Sequence, residues 1–331
     1  MTRLSTARFL SLFRMRERVA TADFVKCICI ILMVLFHLVC VEEAYPYAKA
    51  VVYTFHMPVF LFLSGLFANM SKPAAVFGRY ILWIFIPYAV MEAAYTGMSA
   101  ILPVRGGVES LSPAVIIHNV FFQPMGPYWY LHTLIVALLA CYLCSVACRR
   151  LPTLLFIIVL SLCLGVLSYI GLLSADSALY FILGVAVGRC HMDFDVLFRP
   201  TALAFVPLVI LCCFPENLDR FTLAGLAIVY LSVCCMLWIY RFIPVRIKSV
   251  MHFIGRNTLP ILLFSPIFTM ASKAFLPLFS FDSTLVLFAC IAVPFAVGGS
   301  LFIAWAMDKT RFSVIFFGKP RSISAYSTQL D

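Results

Sequence analysis

Long apolar runs separated by short polar connections make up most of the chain. Ten of them stand out, at about 24–41, 50–68, 80–99, 128–147, 153–173, 177–190, 201–214, 220–240, 257–276 and 283–306. Each predicts a helix that crosses a bilayer, so the fold class is all-α: a polytopic membrane helical bundle of about ten transmembrane helices. The connections alternate in charge as a weaving chain requires. Glu42 and Glu43 fall on one side, Lys72 and Arg79 on the other, then Arg149 and Arg150, then Asp176 opposite, then Arg241, Arg246, Lys248 and Arg256. The connection 100–127 is the longest on the acidic side, and it mixes Pro103, Pro113, Pro124 and Pro127 with Phe121 and Phe122. That composition predicts a segment folded back on the membrane as a lid or half-buried loop.

Composition strengthens this picture. Of 331 residues 64% are apolar and only 11% charged, and the mean hydropathy is +1.05, far outside the soluble range. The net charge of +10 is a matter of topology and not of nucleic acid. With the N-terminus in the cytoplasm, every Lys and Arg except Lys49, Arg105, Arg220 and Lys273 falls at a cytoplasmic helix end. The expected division is a basic cytoplasmic segment over 1–22, a membrane domain over 23–306 and a basic cytoplasmic tail over 307–331. The N-terminal segment has no run long enough for a cleaved leader and is expected to stay on the protein. Residues Arg3 to Arg18 interleave five arginines with Leu and Phe, which suits either a helix on an anionic membrane surface or a basic tail. Most of the thirteen cysteines lie inside apolar runs and behave as small hydrophobes. Cys141 and Cys144 have no second pair to complete a zinc site, so no metal is expected.

The chemistry concentrates in the stretch from Asp23 to Gly65. Its two apolar runs each carry one histidine, and an ionisable group inside a membrane costs about 2.5 to 3.5 kcal/mol at mid-depth for a charge, so it is by default a functional hypothesis. His37 lies four residues before the end of the first run and His56 six after the start of the second. The two imidazoles are therefore at similar depth on neighbouring helices. Imidazole, titrating near pH 6.5, suits general base work. Lys26 precedes His37 by eleven residues, which returns to nearly the same helix face roughly 16 Å away. The ammonium would meet phosphate at one end of the site, or simply snorkel to the interface. Glu92 sits deep in the third run between Tyr88 and Tyr95 at helical spacing. It is read as the partner of His37 or His56, the alternative being a protonated acid bonded to a tyrosine. Trp129, Tyr130 and His132 open the fourth run, as an interfacial belt or as a stacking platform for sugar rings. Asn257 begins the ninth and also suits a helix cap.

At these residues the chain resembles the membrane acyltransferase family 3, the O-acetyltransferases of surface polysaccharides and related glycans. Asp23-Phe-Val-Lys26 leading to His37, with ten residues between the basic position and the histidine, resembles the family's opening motif, with lysine where many members have arginine. Phe55, Met57, Pro58, Phe60, Phe62, Ser64 and Gly65 match its second block. Weaker similarity continues at 78–88, 127–139, 180–188 and 253–266. Two positions depart from the pattern: only Arg79 precedes Pro87 where relatives have a basic pair, and Ser265 stands where a histidine is common. The resemblance implies a bacterial inner-membrane O-acyltransferase with acetyl-CoA as donor and a surface or lipid-linked glycan as acceptor. His37 would be base or acyl carrier, with His56 and Glu92 beside it. Lys26, Arg79 and Asp23 would serve the donor, and Trp129, Tyr130, His132 and Asn257 the acceptor. Membrane lipids would be its surroundings. A glycan or lipid-precursor transporter, with His and Glu as a proton relay, and a noncatalytic component of a polysaccharide machine are the competing readings.

Overall fold

The computed structural model describes residues 19–101, 107–108 and 110–324. The segment Arg3 to Arg18 and the expected external cation Arg105 lie outside the described residues. Among the described residues the fold is entirely helical. In chain order the helices are α1 Ala20–Leu35, α2 Val39–Ala44, α3 Pro46–Leu66, α4 Ala74–Ser99, α5 Pro113–Phe121, α6 Trp129–Ala147, α7 Thr153–Tyr169 and α8 Ala175–Arg189. They continue as α9 Phe194–Leu197, α10 Phe205–Cys212, α11 Leu223–Tyr240, α12 Val245–Arg256, α13 Thr258–Ala271, α14 Val286–Lys309 and α15 Ser313–Phe316.

Six stretches are long and apolar enough to span a bilayer: α3, α4, Pro113–Ala147, α11, Thr258–Phe279 and α14. The protein is a multi-pass membrane protein. The remaining four expected spans correspond to α1, α7, α8 and the short helix 202–212, which run from 11 to 17 residues. Prolines set many of the starts. Pro46 and Pro113 occupy first-turn positions, while Pro73, Pro152 and Pro244 stand immediately before α4, α7 and α12. Ser112 and Thr222 cap α5 and α11 by accepting the Val115 and Gly225 N–H groups.

The first expected span differs. Instead of one helix over 24–41, α1 stops at Leu35, the chain turns through Phe36 and His37, and α2 begins at Val39. No Gly or Pro marks this break. Phe36, Leu38 and Val41 leave the α1 axis to form a small second core with Phe288 and Ala292 of α14, and burial of those side chains decides the turn. A second difference is α12, an additional helix in what reads as a basic loop. Its buried Ser249, His252 and Gly255 face the bundle, while Val245, Ile247 and Val250 are exposed. Burial and the neighbouring Arg256 charge hold His252 below the usual imidazole range. The ring Nε2 lies 3.1 Å from the Tyr240 hydroxyl.

The core is built on α3. One side packs on α1, as the short connection predicts. The other meets α8 backbone to backbone: a Cβ on Gly184 would lie 2.0 Å from the Phe62 carbonyl oxygen, and one on Gly65 2.2 Å from that of Phe181. This is the close approach that small residues permit between membrane helices. The segment after α14 also belongs to this body. The Asp308 carboxylate accepts the Ser313 hydroxyl, the Ser322 hydroxyl and the Ser322 and Ile323 N–H groups. That folds 313–324 back beneath the helices.

Candidate active site

His37 and His56 come from different elements but are held alike. His37 Nδ1 lies 2.6 Å from the Met33 carbonyl oxygen and His56 Nδ1 2.8 Å from that of Val52. A carbonyl only accepts, so in each ring Nδ1 carries the proton and Nε2 is left with its lone pair. For His37 the ring shares the Met33 carbonyl with the His37 backbone N–H, which closes the end of α1. Neither Nε2 has a hydrogen-bond partner among the described residues, and neither is an orphaned buried atom. The rings make no hydrogen bond to each other; the charged groups that act on His37 are Glu42 and Lys49, and Arg220 acts on His56. Tyr53 packs on His56 with ring centroids 4.9 Å apart. Lys49 lies over Tyr53 at 5.0 Å and pairs with Glu42 at 2.5 Å. Arg220 pairs with Asp176 at 3.2 Å. Both expected external cations of this region are thus neutralised locally.

Lys26 lies at the other end of α1, as its spacing predicts. Asp23, with 5% of its side chain accessible, receives Lys26 Nζ on Oδ1 at 2.5 Å and Arg256 Nε on Oδ2 at 3.1 Å. The carboxylate holds two cations with net charge +1 and ties α1 to α12. Gly255 makes this possible, because a Cβ there would lie 1.8 Å from the Asp23 carbonyl oxygen.

Lys26 opens into a cavity of about 290 Å³ whose other polar lining is Ser64, Asn69, Lys72, Tyr80, Tyr130 and Thr258. Ser64 and Tyr130 hydroxyls are 3.0 Å apart. Lys72 lies over the Tyr80 ring at 4.8 Å. The uppermost α3 residue of the cavity is Phe60, one turn and about 6 Å below His56. Neither histidine lines it. Ile30 and Met33, on the α1 face between Lys26 and His37, are buried in the core.

Glu92 does not pair with a histidine. Fully buried, its Oε1 accepts the Met125 N–H at 2.7 Å, and Oε2 has no hydrogen-bond partner among the described residues. It belongs to a set of bonds that fastens the 113–128 segment to the bundle. Tyr88 donates to the Val120 carbonyl, His132 Nε2 meets the Phe121 carbonyl at 2.9 Å, and Asn119 donates to Thr96. The expected lid is therefore a docked short helix, α5, followed by a turn.

Of the expected site residues, Lys26, Asp23 and Tyr130 come together around the cavity. Arg79 is exposed on α4 and does not line it. Trp129 is half-buried with its ring edge-on to Tyr130. Asn257 accepts the Ser324 N–H and donates to the Phe253 carbonyl, which binds Ser324 beside Thr258. Sequence reasoning missed Arg256 and Lys72 as site residues. The carboxylate at 23 was the available signal for a partner cation, but nothing local names residue 256. Among the described residues no group of three or more His, Cys, Asp or Glu side chains is placed to hold a metal ion.

A family model described as an acyltransferase domain matches residues 19–305, from the start of α1 through most of α14 and therefore both ends of the site. The chain belongs to the acyltransferase-3 family. The match spans the two histidines, the Lys26 cavity and the 113–128 segment in one continuous unit. Neither the curated proteins nor the solved structures contain a match.

Proposed function

We propose that this acyltransferase-3 protein is an O-acetyltransferase of a bacterial inner membrane, taking acetyl from acetyl-CoA on the cytoplasmic side to a hydroxyl of a cell-surface or lipid-linked glycan. The observation that carries the reading is the polarity of the site. A lysine-bearing cavity lies at one end of α1 and two imidazoles with unprotonated Nε2 atoms at the other. The cavity suits the donor: Lys26 and Lys72 offer ammonium groups to its phosphates, with Arg256 behind Lys26, and the Ser64 and Tyr130 hydroxyls lie deeper. Bound acetyl-CoA supplies the activated thioester.

The thioester must pass Phe60 to reach His37, whose Nε2 takes the proton of the acceptor hydroxyl while the hydroxyl oxygen attacks the thioester carbonyl carbon. The C–S bond breaks, and the departing thiolate recovers the proton. The Nδ1 bond to Met33 fixes the tautomer this needs and keeps the ring from rotating. His56, held in the same way, is the second base of this reading. The same free nitrogen would carry the acetyl group in a two-step route, and label retained on the protein without acceptor separates the two routes. Glu92 acts by holding the 113–128 segment against the bundle.

Purified protein with labelled acetyl-CoA and envelope glycan is expected to release CoA and label the glycan. His37→Ala should lower turnover by at least ~100-fold with the variant still monodisperse. Acceptor movement across vesicles without CoA release would replace this reading with a transporter.

A further inference from the structure

Another cavity lies on the other face of α3, between α3, α8, α9 and α11, and has a volume of about 200 Å³. Phe62, Tyr180, Phe194, Phe198, Tyr230 and Val233 are among its walls. Its only side-chain polar atoms are already committed: the Tyr180 hydroxyl donates to the Arg220 carbonyl at 2.8 Å and the Tyr230 hydroxyl to the Leu197 carbonyl at 3.2 Å. The lining therefore offers hydrocarbon and ring faces. A sugar, a nucleotide or a peptide seated there would lose hydrogen bonds to water without replacement.

The shape is set by packing. Phe198 meets Phe62, Phe194 and Tyr230 at centroid distances of 5.5, 5.0 and 5.4 Å, closing the end nearest α9. The glycine contact of α8 on α3 fixes the opposite wall. Tyr230 is 42% exposed, so the groove opens sideways to the surface of the bundle.

A cation stands at the closed end. Arg199 follows Phe198 directly and is exposed, and its charge acts on Tyr230. It has no ion-pair partner among the described residues. The carboxylates nearby in sequence are Asp193, exposed, and Asp195, which takes the Thr21 hydroxyl at 2.6 Å. A hydrocarbon slot open to the bilayer with an unpaired guanidinium at its rim, at the level of the basic helix ends, matches one molecule.

We propose that this groove seats one acyl chain of a glycerophospholipid from the leaflet on the Lys26 side, with the lipid phosphate held by Arg199. The lipid would wedge between α8 and α11 and stand apart from the donor cavity, since Val59 and Phe62 face the groove whereas Phe60, Leu63 and Ser64 face that cavity.

The test is native mass spectrometry of delipidated full-length protein titrated with dioleoylphosphatidylglycerol or with dioleoylglycerol, which keeps the chains and lacks the phosphate. Phosphatidylglycerol is expected to fill one site several-fold more tightly than dioleoylglycerol. Leu183→Trp, at the half-buried opening, should weaken it about tenfold. Arg199→Ala, on an exposed side chain that cannot compromise folding, should lower phosphatidylglycerol about three- to fivefold and leave dioleoylglycerol unchanged. Equal affinity for the two lipids, graded occupancy with no single tight site, or full binding to either variant would overturn the proposal.

Discussion

Replacing Asp23 by Asn separates two roles of the carboxylate that pull in opposite directions. In the native protein the nearly inaccessible Asp23 side chain contacts Lys26 and Arg256, which are 25% and 20% accessible. A unit pair at about 4 Å is worth roughly 4 kcal/mol at an effective dielectric of 20. Access of water to both cations, and the hydrogen bond that Asn keeps, reduce the net loss for the two contacts together to about 2 to 4 kcal/mol. The variant is therefore expected to unfold several degrees lower by fluorescence-detected size exclusion after heating, because the link between α1 and α12 is weakened. The charge at the cavity moves the other way. Lys26 and Arg256 with Asp23 sum to +1, and with Asn to +2, so an anionic donor is drawn in more strongly. On the proposed function, KM for acetyl-CoA should fall or hold while kcat stays within a few-fold, measured below the unfolding range and at two salt concentrations. An unchanged unfolding midpoint would refute the structural tie. A rise in KM in a folded variant would refute the charge argument and show that Asp23 serves the donor by positioning Lys26 and Arg256.

The other expectations are sharper in sign than in size. Gly184→Ala must push α8 at least about 1 Å from α3, since its Cβ would meet the Phe62 carbonyl oxygen at 2.0 Å. A loss of about 2 kcal/mol or more in folded stability should follow, whereas Gly165→Ala, facing open space, should be neutral or gain up to about 1 kcal/mol; equal midpoints in a thermal-shift comparison would contradict the packing. Phe60→Ala removes the ring at the top of the donor cavity. Acceptor-independent CoA release should rise as water gains the thioester, and a folded variant with unchanged hydrolysis would show that Phe60 is no barrier.

Much was legible in the residue order because a membrane makes strong demands on it. Apolar runs of fixed length, charges sorted to one side and prolines at helix starts follow from the cost of burying charge and unpaired backbone, so the helical bundle and most helix positions could be read directly. That Lys26 and His37 take opposite ends of the first apolar run could be read as well, but a shared helix face could not, because α1 stops at Leu35 and His37 lies in the turn beyond it. The rest depended on groups distant in the chain. The turn at His37 is made by Phe36, Leu38 and Val41 finding Phe288 and Ala292, and nothing between 36 and 41 announces it. Arg256 reaches Asp23 only because Gly255 lets α12 touch α1. Glu92 serves Met125 and not a histidine, since the docked 113–128 segment offers an N–H closer than either ring. Helix periodicity sets which way a side chain faces; only the packing of one helix on another decides which partner it meets there.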